Sequence, residues 1–121
     1  MLAKTPGEEL RAYVVWVPMN RALERDVRNA TKEVWDPRAS HYWDADGWLP
    51  TTYKEVIGGF PFGPAWDTYL LYGPGATWDG EKPPKPAYWM HQRGTASRPE
   101  AIGPYWNPEA FRQAVLSQRR P

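Results

Sequence analysis

The chain has 121 residues, 15 Lys and Arg against 14 Asp and Glu, and no cysteine. That length is enough for one domain, which needs no disulfide or metal staple to fold. The missing thiols exclude cysteine nucleophiles, disulfide exchange and thiolate metal sites, and a net charge of +1 lacks the basic surplus of a general nucleic-acid binder.

Residues 1–11 read as a flexible polar arm ahead of a single domain over 12–121. The arm lacks the apolar core of a signal peptide. The longest apolar run, 12–19, is too short for a membrane span, which takes about 20 residues. A cytoplasmic chain without membrane contact is expected, with a Met1 introduced after removal of an export segment as the alternative.

Residues 12–17, rich in β-branched and aromatic side chains, predict a strand buried on both faces and stopped by Pro18. Asn20 is a fitting N-cap, and Leu23, Val27, Ala30 and Val34 then form one helical stripe that Asp36-Pro37 ends. Residues 39–44 predict a second strand and Asp46-Gly47 a turn. Pro50 or Thr51 opens a short helix carrying Tyr53, Val56 and Ile57, closed by Gly58-Gly59. Residues 66–72 predict a third strand. The proline-stiffened loop 82–86 reads as a spacer, a guard for a sheet edge, or a polyproline segment for an aromatic groove. Residues 87–91 predict a fourth strand, and 93–106 read as irregular. Asn107-Pro108-Glu109 is a strong helix start: a cap, a proline at the first helical position, and an acid in the first turn. Phe111, Ala114, Val115 and Gln118 follow at helical spacing, with Arg119 and Arg120 at the end.

The eight tryptophans are spread one or two per element. That suits core filling, with an aromatic-lined groove for sugar, peptide or quaternary amine as the alternative.

The order β-α-β-α-β-β-α predicts an α/β fold. A parallel first pair and an antiparallel last pair would join in a mixed four-stranded sheet with helices on both faces. The segments 14–19, 41–44, 65–73 and 89–92 resemble a group of small bacterial thioredoxin-like proteins of unestablished function. The resemblance covers about residues 10–120. It implies the thioredoxin fold, in which a proline, usually cis, precedes the third strand. Pro64 is the matching position. The Cys-x-x-Cys pair of redox-active members is absent at the junction of the first strand and helix, 16–23, so the resemblance carries no thiol chemistry here.

The leading expectation is a non-redox binding or accessory module without cofactor or metal. It would hold an extended peptide or a small anion at Pro18, Met19, Asn20 and Arg21 together with Phe62, Pro64 and Ala65. The helix N-terminus at Asn20 and the charge of Arg21 favour an anion. The residue beside the proline offers backbone hydrogen bonds to a peptide, as the fold's substrate groove does. A rival from another class is a small enzyme with acid/base chemistry on Asp67, His41 or His91. A third is a homodimer whose exposed aromatics form the interface.

His41, Asp44, Asp46 and His91 are the available metal ligands, but 41 and 44 point to opposite faces of a strand. Asp44-Ala45-Asp46-Gly47 opens like a calcium loop, yet Trp48, Leu49 and Pro50 occupy its middle, so a turn is expected. No nucleophile elbow and no phosphate-binding glycine loop is present.

Overall fold

The computed structural model describes residues 10–17, 36–58, 65, 67–92 and 103–118. The chain is mixed α/β. It divides into two compact units, Met1–Leu49 and Pro50–Pro121. The helix expected after Asn20, the Pro64 matched to the family's usually cis proline and the terminal Arg119 and Arg120 lie outside the described residues.

In the N-terminal unit, β1 (Ala12–Trp16) pairs parallel with β2 (Ala39–Trp43), in register from Ala12 opposite Ala39 to Trp16 opposite Trp43. The parallel pair expected from the sequence is formed. Strand alternation then places Tyr13, Val15, Ser40 and Tyr42 on one face, and Val14, Trp16, His41 and Trp43 on the other. The first face is not covered as expected: Tyr13 is 69% and Tyr42 52% exposed. A continuous apolar run does not reveal which of its faces is covered, and β1 has no fully buried residue.

Asp44 organises the exit from β2. Its N–H bonds to Trp16 O at 2.9 Å, its carbonyl accepts from Gly47 N, and its Oδ2 accepts from Leu49 N at 2.8 Å. Gly47 lies in the left-handed region at φ 64, which glycine enters without steric cost. The carboxylate satisfies one orphan donor of α1 (Trp48–Ile57), which therefore starts two residues before Pro50. Pro50 sits in the first turn, where a missing N–H breaks no intrahelical bond. Gly58, at φ 78, ends the helix with its N–H on Lys54 O.

In the C-terminal unit, β3 (Thr68–Leu71) pairs antiparallel with β4 (Tyr88–His91), as expected. The described strands form two two-stranded sheets, not one four-stranded sheet. One face of the hairpin carries Tyr69, Leu71, Tyr88 and Met90, and it packs on α2 (Pro108–Ser117) through Phe111. The described apolar core comprises Tyr53, Ala65, Leu71, Met90, Phe111 and Val115. Tryptophan is missing from it: Trp48 and Trp78 are about half exposed. Core filling by tryptophan thus fails at these two positions. A bulky indole is seldom fully enclosed in a unit this small.

The start of α2 matches its sequence signature. Asn107 has extended dihedrals, its Oδ1 accepts from Ala110 N at 3.0 Å, and Pro108 opens the helix. Asn107→Ala is expected to lower stability by about 1 kcal/mol, the usual value of such a cap. A urea titration reads this directly, and an unchanged midpoint would deny the cap its role.

Residues 104–106, within a segment read as irregular, run beside β4. His91 N–H donates to Pro104 O, Trp106 N–H donates to His91 O, and Tyr105 forms a parallel bridge with His91. Among the described residues no helix is long and apolar enough to cross a membrane.

Candidate functional site

Of the seven residues expected to line a binding groove, Ala65 alone is described. Pro18, Met19, Asn20, Arg21, Phe62 and Pro64 lie outside the described residues. Ala65 is buried, its N–H donates to Pro50 O at 2.9 Å, and its carbonyl accepts from Thr68 Oγ1 at 3.2 Å. Its backbone donor is already committed to the fold.

The residues of the acid/base alternative also have structural partners. Trp16 Nε1–H donates to His41 Nδ1 at 3.1 Å, and the two rings stack with centroids 6.1 Å apart. That nitrogen's lone pair is therefore engaged. His91 is fully buried, and its Nε2 lies 3.1 Å from Gly103 O. A carbonyl only accepts, so Nε2 carries the proton in this bond. The His91 ring meets Tyr105 edge-on at 5.5 Å and Trp89 at 6.1 Å.

Asp67 is exposed and stands before β3 rather than inside a strand, at φ 52. Aspartate tolerates this left-handed conformation better than most residues. The bend aims its carbonyl at Gln92 N, 2.8 Å away.

Three phenols of the C-terminal unit are held on the protonated side. Tyr53 Oη lies 2.6 Å from Tyr72 Oη, which donates to Pro84 O at 2.7 Å. With the Tyr72 proton on Pro84, Tyr53 must be the donor to Tyr72. Burial pushes Tyr72 well above the ordinary phenol value. Burial also raises Tyr53 and Tyr69, the latter with help from the Asp67 carboxylate. None of the three is set up as a base near neutral pH. The same chain ties down the proline loop. Pro83 and Pro86 are buried while Lys82 and Lys85 are exposed, so these two prolines anchor the loop to the unit and are not displayed as a polyproline ligand. Lys82 pairs with Glu55 at 2.8 Å, with both side chains over 60% exposed. Such a pair contributes little to stability.

Among the described residues of the N-terminal unit, the strongest electrostatic feature is the turn into β2. Asp36 accepts from the Arg38 backbone N–H and binds its guanidinium through both oxygens, at 2.9 and 2.8 Å. The Arg38 side-chain hydrogen bonds, then the backbone one, pull the Asp36 carboxyl down from 3.8 to about 2. A depressed carboxyl stabilises the fold above its unfolded value and loses that contribution as pH falls through the folded one. Acid should therefore loosen this turn between about pH 4 and pH 2. Carbon-detected NMR of the carboxyl should report a midpoint near 2, and an unshifted midpoint would mean the pair does not persist in solution.

Among the described residues no group of three or more His, Asp or Glu side chains is placed to hold a metal. Asp44 of the calcium-loop reading caps α1, and Glu55 faces Lys82.

The most conspicuous outward-facing feature is one that sequence reasoning did not single out. Tyr13 and Tyr42 stack across the two strands of the N-terminal sheet, centroids 6.4 Å apart and planes 29° apart. Ser40 is exposed on the same face, and Val15 shares it in register with Tyr42. The signal lay in the tyrosine that each strand carries on this face, once the register is known.

Comparisons with protein-family models, with curated proteins and with solved structures found no match to this chain.

Proposed function

We propose that the chain is a non-catalytic binding or accessory module that takes an extended peptide on the Tyr13–Tyr42 face of β1–β2. The single observation that carries this is the exposed ring stack itself. Parallel strands are normally covered on both faces, and two large rings in water forgo the burial that would stabilise them. Adjacent strands about 4.8 Å apart bring the two rings together as one exposed, stacked platform. Such a platform suits the apolar side chains or prolines of an extended chain, with little side-chain entropy to lose. The absence of cysteine and the structural engagement of His41 and His91 turn the reading away from catalysis.

The finer fold is part of the same proposal: a thioredoxin-like arrangement without its redox pair. The parallel β1–β2 pair, the antiparallel β3–β4 hairpin and the C-terminal helix, in this chain order, support it.

Selection of linear peptides displayed on phage against the full chain tests the binding reading. The expected result is an enriched set whose affinity falls at least about tenfold, or ~1.4 kcal/mol, in Tyr13→Ala/Tyr42→Ala. Both rings are exposed, so the double variant should melt close to the parent. Failure to enrich any peptide, or equal binding by the variant, would overturn the reading.

A further inference from the structure

We draw no further inference here: the strongest candidate outside the tyrosine face, the fully buried His91 ring among Trp89, Tyr105 and the Gly103 carbonyl, carries nothing because those contacts are the packing of β4 against residues 103–106.

Discussion

Phe111→Ala is expected to destabilise the protein by about 3–5 kcal/mol, the cost of deleting a buried aromatic ring. Phe111 is 5% exposed. Its ring meets Trp106 at 5.3 Å, Tyr88 at 6.1 Å and Tyr69 at 6.3 Å, and Tyr69 stacks on Trp106 at 3.7 Å. One side chain therefore joins α2 to both strands of the hairpin. A domain of this size has about 5–15 kcal/mol in all, so the loss is a large fraction of it. Phe111→Leu keeps much of the apolar volume and should lose far less. Denaturant unfolding of both variants reads the difference. A shift below about 1 kcal/mol for the alanine variant would show that the aromatic cluster is not the core of this unit.

Gly103→Ala is expected to cost about 1–3 kcal/mol, through overpacking rather than a lost contact. A Cβ at Gly103 would stand 2.6 Å from Trp89 Cζ2 and closer still to Cη2. An indole is rigid, so either the ring or the Gly103 backbone must move. Moving that backbone draws its carbonyl from His91 Nε2. The unfolding midpoint should fall, and Trp89 fluorescence should change in the folded state. An unaltered midpoint with unaltered emission would show that residues 103–106 do not pack on β4 as described.

What the sequence disclosed follows from the range of the forces involved. The cap of α2 was legible because Asn107, Pro108 and Glu109 act on their immediate neighbours. All four described strands were legible from short runs rich in aromatic side chains, with β-branched ones in β1 and β3, and their pairing directions from the connections between them. The start of α1 was displaced because Asp44, whose carboxylate accepts from Leu49 N, lies several residues upstream and read as part of a turn. The Tyr105 bridge left no alternation to read, since a single pairing has no period. Asp67 read as part of a strand because nothing local distinguishes a left-handed aspartate before a strand from an extended one within it.

The candidate site was less legible than the fold. His41 and His91 carried weight as titratable residues, yet their partners, Trp16 and Gly103, are distant in sequence. The tyrosine face depended on register, which brings Tyr42 beside Val15 and places it on the side of Tyr13. A strand slipped by one residue would have turned the same side chains to the other face.

The most direct measurement is an amide NMR titration of the full chain with the tightest linear peptide from the display selection. Shifts concentrated on Ala12–Trp16 and Ala39–Trp43, and absent in Tyr13→Ala/Tyr42→Ala, are the predicted result. Shifts confined to other residues, or retained in full by the double variant, would contradict the assignment of binding to the tyrosine face.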